Sequence, residues 1–218
     1  KIMRQGELHP AQRTTRQPGQ IRAGLRYVWN EPQLRATLIM MFIIGTFAYE
    51  FPVILPLFAT VTLHGDASTY SAMTAAMGIG AICGGLYTAG RGAVGATQLV
   101  RAACLFGISL CLLALTPRLV AALVVLVVVG GLSVLFIALG NTTLQLTSQP
   151  EMRGRVMSLW SIAFLGTTPI GGPLIGFIAD HSNPRVGLLV GGIATLIAGA
   201  VGVATGRHKK SAPTPKPA

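Results

Sequence analysis

The chain has 218 residues, of which 51% are hydrophobic and only 11% are charged. Soluble globular proteins carry about 25% charged residues and disordered chains are poor in apolar residues, so the composition argues against both classes. The 17 Lys and Arg outnumber the 6 Asp and Glu, which gives a net charge of +11. These basic residues lie between and outside long apolar segments. We therefore expect the lipid bilayer as a partner and no nucleic acid.

The first 33 residues form a basic cytoplasmic linker in our interpretation, and its second half has a helical period. Apolar side chains share one face of this helix and arginines share another; they are Ile21, Leu25, Val28 and Trp29, and Arg22 and Arg26. This amphipathic pattern predicts a helix on the cytoplasmic surface of a membrane. An ordinary soluble linker helix is the alternative.

Residues 34–207 contain six apolar segments long enough to cross a bilayer as helices. These segments are Ala36–Val61, Thr69–Ala89, Thr97–Leu115, Leu119–Leu144, Val156–Ala179 and Val186–Thr205. They do not alternate in polarity as the strands of a transmembrane β-barrel do. We therefore predict an all-α membrane protein with six transmembrane helices, followed by a disordered cytoplasmic tail over residues 208–218.

The distribution of positive charge orients these spans. Six spans place both ends of the chain on one side, and that side collects fifteen of the 17 Lys and Arg. Only Arg118 and Arg185 lie on the other side. Because basic loops stay in the cytoplasm, we predict a multi-pass protein of the cell membrane with both termini cytoplasmic.

Glu50 is an acidic residue inside the first span, where charged groups are costly and usually face a cavity or a partner. It is our candidate for proton coupling, and the adjacent Thr46 and Tyr49 are candidates for lining a substrate cavity. Pro52 and Pro56 predict a bend close to it. The alternative is a neutral, hydrogen-bonded glutamate at a helix contact.

Polar residues also cluster at the cytoplasmic end of the fourth span. Asn141 and Gln145 share a helix face and are candidates for a substrate cavity, with interhelical hydrogen bonding as the alternative. In the loop that follows, Arg153 and Arg155 are candidates for a gating latch that pairs with acidic groups. Plain anchoring of the loop by positive charge explains them equally well.

The fifth span is rich in residues that weaken a helix. Pro169, Gly171, Gly172 and Pro173 are candidates for a flexible, gating helix, because the prolines remove backbone donors and invite a bend. Static kinks are the alternative.

No catalytic site is expected. The three cysteines lie in apolar segments without a CxxC spacing, and the four histidines lie in loops or tails. Neither a metal site, a nucleophile with its base nor a phosphate-binding loop is indicated. We predict that the protein is not an enzyme and needs no cofactor or metal.

Four stretches resemble the major facilitator superfamily of transporters, in particular the branch of enterobactin exporters and macrolide efflux pumps. They are Ile21–Arg35, Phe51–Phe58, Asn141–Gln145 leading into Arg153–Met157, and Pro169–Gly176. The resemblance implies two six-helix halves, of which this chain is the C-terminal one. It also implies a substrate cavity between the halves and alternating access driven by a proton gradient. The cytoplasmic loop near Arg91 departs from the family pattern, because it lacks the acidic residue.

The expected function is therefore proton-coupled efflux of a small amphipathic or cationic molecule or a siderophore. An N-terminal six-helix half is the expected partner, supplied by upstream sequence, a separate chain or a second copy. The alternative is a truncated, non-transporting membrane remnant, or a half-transporter that requires a partner half.

Overall fold

The structure is a computed structural model that describes residues 20–90 and 95–210. Within these ranges the chain forms nine α-helices and a short π-helix, and no strand. The α-helices are α1 (Gln20–Asn30), α2 (Pro32–Phe47), α3 (Phe51–Leu57), α4 (Ala67–Ala89), α5 (Ala96–Leu115), α6 (Leu119–Thr147), α7 (Pro150–Phe164), α8 (Thr168–His181) and α9 (Pro184–Lys210), and the π-helix is Phe58–Thr62. Most of the expected linker, and the expected tail beyond residue 210, lie outside the described residues.

Six helical runs are long and apolar enough to cross a membrane, which confirms the all-α, six-span prediction. Four of them are single helices, α4, α5, α6 and α9. The first run, Pro32–Thr62, joins α2, α3 and the π-helix, and the fifth, Pro150–His181, joins α7 and α8. The fifth run begins before the apolar segment seen in sequence. Its first turn is polar but helical, with Pro150 at a position where its missing N–H is harmless.

The two composite runs are broken in the same way. Each break comes just before a proline at the second position of the following helix, Pro52 in α3 and Pro169 in α8. Each proline lacks the N–H that would continue the preceding helix, so the hydrogen-bond ladder stops there. A second proline follows four residues later in each case, Pro56 and Pro173. The bends predicted from these prolines are therefore interruptions of the helix.

Glycines bring α4 and α6 into backbone contact. A Cβ atom added to Gly84 would lie 2.8 Å from Cα of Gly131, and one added to Gly130 would lie 2.8 Å from the carbonyl carbon of Met77. Gly80 faces the backbone of Val127 in the same seam. The spacing of Gly80 and Gly84 predicts such close helix packing, and the structure confirms it.

Helix α1 lies against the start of α7. A Cβ added to Gly24 would be 3.2 Å from Cβ of Arg155, and the Tyr27 hydroxyl accepts a hydrogen bond of 3.2 Å from the backbone N–H of Gln149. Val28 is buried in a small apolar cluster with Leu34, Leu38, Leu144 and Val156. The helix is therefore fixed at the end of the bundle where α6 ends and α7 begins.

At the opposite end of the bundle, Arg185 joins three spans. Its guanidinium donates to the carbonyls of Ala114 at 2.7 Å and Thr116 at 2.9 Å, and lies 5.9 Å from the ring centre of Phe58. The sequence suggests a surface pair between Arg185 and Asp180, and the structure differs. The last carbonyls of α5 have no donor within the helix. They accept hydrogen bonds from the guanidinium of Arg185, which is therefore not paired with Asp180.

Candidate functional site

Glu50 lies in the break of the first span, between α2 and α3. Its side chain is only 4% exposed, and its backbone carbonyl accepts hydrogen bonds from Val53 and Ile54, which start α3. Atom Oε1 is buried and has no hydrogen-bond partner among the described residues. A buried polar atom without a partner is uncommon and calls for an explanation in function or in a small bound species.

Two glycines of α8 form the surface on which the Glu50 carboxyl lies. A Cβ added to Gly171 would be 2.7 Å from Oε1, and one added to Gly172 would be 3.3 Å from Oε2. Any larger residue at position 171 would collide with the carboxyl. The Gly171-Gly172 pair, identified in sequence only as a flexible element, thus makes room for the acidic side chain of another span.

Glu50 helps to line a small cavity of about 10 Å³, which is the space of about one water molecule. Apolar side chains and small residues make up the rest of its lining: Phe47, Ala48, Phe51, Ile54, Leu110, Ile175, Leu188 and Gly191. Glu50 is therefore the only acidic group on the lining of this cavity.

The two helix breaks lie side by side. A Cβ added to Gly45 in α2 would be 3.0 Å from the carbonyl oxygen of Phe164, the last residue of α7. Gly171 faces the backbone carbonyl of Thr46. Both interrupted spans therefore touch each other where their ladders of hydrogen bonds stop, and Glu50 lies at that meeting point.

Tyr49 connects the break to α6. Its ring packs against Phe51, Phe106 and Phe164, with 4.8 Å between the centres of the Tyr49 and Phe164 rings. Its hydroxyl donates a hydrogen bond of 2.7 Å to the carbonyl of Ser133. In this conformation the hydroxyl already has a protein partner.

The hydroxyl of Thr46, the second cavity candidate beside Glu50, donates to the carbonyl of Phe42 at 2.7 Å, one turn earlier in α2. The side chain is buried. Both Thr46 and Tyr49 thus lie next to Glu50, as their spacing in the sequence suggests, and their roles in substrate binding stay predictions.

Asn141 and Gln145 lie elsewhere, near the end of α6. Asn141 is eight residues beyond Ser133, which is about 12 Å along the helix axis from the contact with Tyr49. The amide of Gln145 donates to the side-chain oxygen of Asn141, and the Gln145 carbonyl accepts from Nε of Arg153 at 3.1 Å. The structure therefore groups Asn141, Gln145 and Arg153 at one end of the bundle and Glu50 at another level.

Arg155, the second latch candidate, contacts neighbours on its own helix and α1. Its Nη1 lies 3.3 Å from the sulfur of Met152, and its Cβ contacts Gly24. Neither Arg153 nor Arg155 has an acidic residue in hydrogen-bond contact within the described part of the chain. The gating role of both arginines stays a prediction.

Sequence reasoning missed three residues of this site: Gly45, Ser133 and Phe164. Gly45 is a single glycine in an apolar run, and a glycine inside a span is itself a sign of close backbone approach. The Ser133 carbonyl and the Phe164 ring carry no such signal, because their contacts with Tyr49 come from distant parts of the sequence.

Six apolar spans, two of them interrupted beside a buried carboxyl, place the protein among multi-pass membrane proteins with a polar site inside the bundle. Broken helices at such a site are typical of secondary transporters. The family model described as transmembrane secretion effector matches residues 9–213. The chain belongs to this family, whose members are transporters of the major facilitator type. No curated protein and no solved structure matches the chain.

Family membership identifies the protein as a membrane transporter with the lipid bilayer as its surroundings and a small molecule as its substrate. It favours transport over catalysis. The described residues contain no cluster of three or more His, Cys, Asp or Glu side chains that could hold a metal ion.

Proposed function

We propose that the protein is an efflux transporter that exports a small amphipathic or cationic molecule, or a siderophore, in exchange for protons. The observation that supports this proposal most directly is the buried Glu50 carboxyl at the meeting point of two broken spans. Its Oε1 has no partner among the described residues, and the resemblance to enterobactin and macrolide exporters points to efflux.

The physical basis of the proposal is the difference between the two charge states of Glu50. An ionised carboxylate enclosed by apolar groups is far more costly than a neutral carboxyl. The Gly171–Gly172 surface of α8 leaves little space around both oxygens. Loss of the proton therefore favours an arrangement in which α3 and α8 separate and water reaches the carboxylate, and binding of a proton favours the closed arrangement described above.

We further propose that the chain is the C-terminal half of a transporter in the cell membrane, with both termini in the cytoplasm. Six spans match one of the two six-helix halves that the resemblance to the major facilitator superfamily implies. A six-helix partner half would complete the substrate cavity, which Thr46, Tyr49, Asn141 and Gln145 would line. Arg153 and Arg155 would act as its latch, and α8 with Pro169 and Pro173 as its moving helix.

The test is a transport measurement on the Glu50→Gln variant of the full chain, expressed with its natural neighbouring sequence. Inside-out membrane vesicles are given a proton gradient, and uptake of ethidium, a cationic amphipathic dye, is followed by fluorescence. We expect Glu50→Gln to abolish gradient-driven uptake while the amount of membrane-inserted protein stays the same, because glutamine keeps the shape but cannot exchange a proton.

Glu151→Gln is the matched control, since Glu151 is an exposed glutamate in the first turn of α7. This variant should transport at the rate of the unsubstituted protein. Undiminished proton-driven uptake by Glu50→Gln would contradict the assignment of Glu50. If the unsubstituted protein takes up no more dye than vesicles that lack the protein, the result would favour the alternative, a membrane remnant that transports nothing.

A further inference from the structure

Helix α1 carries an exposed face that the transport site does not use. Ile21 is 65% exposed, Leu25 49% and Trp29 59%, although all three are large apolar residues. They are spaced four apart, so they form one stripe along the helix. The buried side of α1, with Gly24 and Val28, faces α7 and α2, and the stripe therefore points away from the bundle.

Two arginines border this stripe. Arg22 and Arg26 each follow a stripe residue by one position, are exposed, and lie four residues apart on the same side. The helix contains no acidic residue. Together with Trp29, both arginines line an open groove along α1.

A third arginine, Arg35, contacts Trp29. The guanidinium of Arg35, in the first turn of α2, lies 5.8 Å from the centre of the Trp29 ring, and its Nη1 donates to the Trp29 carbonyl at 3.2 Å. The indole thus has an arginine over its ring while Trp29 stays 59% exposed. An aromatic ring held beside arginines is a common arrangement at the boundary between lipid tails and headgroups.

The depth of α1 follows from its contacts. Tyr27 accepts a hydrogen bond from the turn between α6 and α7, and Arg35 belongs to the first turn of a span. The helix therefore lies at the level where two or more spans leave the apolar layer. At that level an amphipathic helix meets lipid headgroups on its basic side and acyl chains on its apolar side.

We propose that α1 is a binding site for anionic lipid, in which Arg22 and Arg26 contact the headgroup phosphate and the stripe of Ile21, Leu25 and Trp29 contacts the acyl chains. The positive charge of Arg22 and Arg26 favours an anionic occupant. The preceding residues 1–19 carry four basic residues and one acidic residue, and a second copy of α1 would present the same arginines, so both would be repelled.

The experiment uses the full chain with Trp160→Phe, which leaves Trp29 as the only tryptophan. The protein is reconstituted in phosphatidylcholine vesicles containing brominated phosphatidylglycerol or, at the same mole fraction, brominated phosphatidylcholine. Bromine quenches a tryptophan only in close contact. We expect stronger quenching by the anionic lipid, and a fall in its relative binding constant of up to about fivefold for each arginine replaced by glutamine.

Arg118→Gln is the control, because Arg118 precedes α6 and so lies at the end of the bundle opposite to α1. It should leave the lipid preference unchanged. Equal quenching by the two brominated lipids would overturn the proposal, and so would the absence of quenching by either, which would mean that protein covers the stripe. A preference that survives in the Arg22→Gln, Arg26→Gln double variant would overturn the assignment to these two arginines.

Discussion

At the scale of single residues, Gly171 sets how closely a carboxyl and a helix approach each other. Its missing side chain leaves space for both Oε1 of Glu50 and the backbone carbonyl of Thr46. Glycine is therefore required here by the contact between two spans and not by an unusual backbone angle, since the residue lies within α8.

We expect Gly171→Ala to destabilise the protein, because the new methyl group would collide with the backbone carbonyl of Thr46, lie 2.7 Å from Oε1 of Glu50, and push α8 away from α2. Overpacking of this kind typically costs about 1–3 kcal/mol. Thermal unfolding in detergent measures the effect. Gly176→Ala is the matched control in the same helix, since its Cβ would meet Val53 at an ordinary 3.4 Å. Equal melting temperatures for the two variants would speak against the tight contact.

At the scale of helices, Arg185 keeps the start of α9 against the end of α5. We expect Arg185→Ala to lower the free energy of unfolding by about 1–3 kcal/mol, because two hydrogen bonds to a charged group are lost. Hydrogen exchange should become faster in residues 114–118, where the acceptor carbonyls lie. Arg185→Lys should recover only part of the loss, because an ammonium group cannot span both carbonyls as the planar guanidinium does.

The control for this prediction is Arg118→Ala, a change of an exposed arginine in the same region. It should affect stability and exchange much less. If both substitutions accelerate hydrogen exchange equally, the cause is the loss of positive charge in this region. The two hydrogen bonds from Arg185 to α5 would then not explain the effect.

Sequence reasoning succeeded for these elements where the cause is local. Apolar length alone predicts six spans, and Pro52 and Pro169 mark the places where two of them break, because a proline removes a backbone donor wherever it stands. The position of Glu50 beside the first break is likewise visible in the order of residues. A glycine spacing of four also predicted a close helix contact at Gly80 and Gly84, although not that α6 would be the partner.

Contacts between distant segments could not be predicted in this way. The sequence offers no reason why Glu50 should lie on Gly171, or Tyr49 against Ser133, because these pairs are set by how the spans pack. Arg185 illustrates the same limit: an acid lies close to it in the chain, but the helix-end carbonyls of α5 are the better-placed acceptors.

At the scale of the whole molecule, the uneven distribution of basic residues predicts the orientation in the membrane. We expect single cysteines at Ser68 and Ser182 to react with a membrane-impermeant maleimide added outside intact cells, and one at Ser211 to react only after the cells are opened. The background would lack the native cysteines, Cys83, Cys104 and Cys111. The reverse pattern of labelling would contradict the proposal of cytoplasmic termini.

The seam between α4 and α6 has a mechanical consequence for the molecule. Helices whose backbones touch through Gly80, Gly84 and Gly130 have little freedom to slide or rotate, because almost any displacement brings main-chain atoms into collision. We therefore expect α4 and α6 to move together as one rigid unit. We expect bending within the bundle to occur at the interrupted spans, where Glu50 lies, and not in the α4–α6 pair.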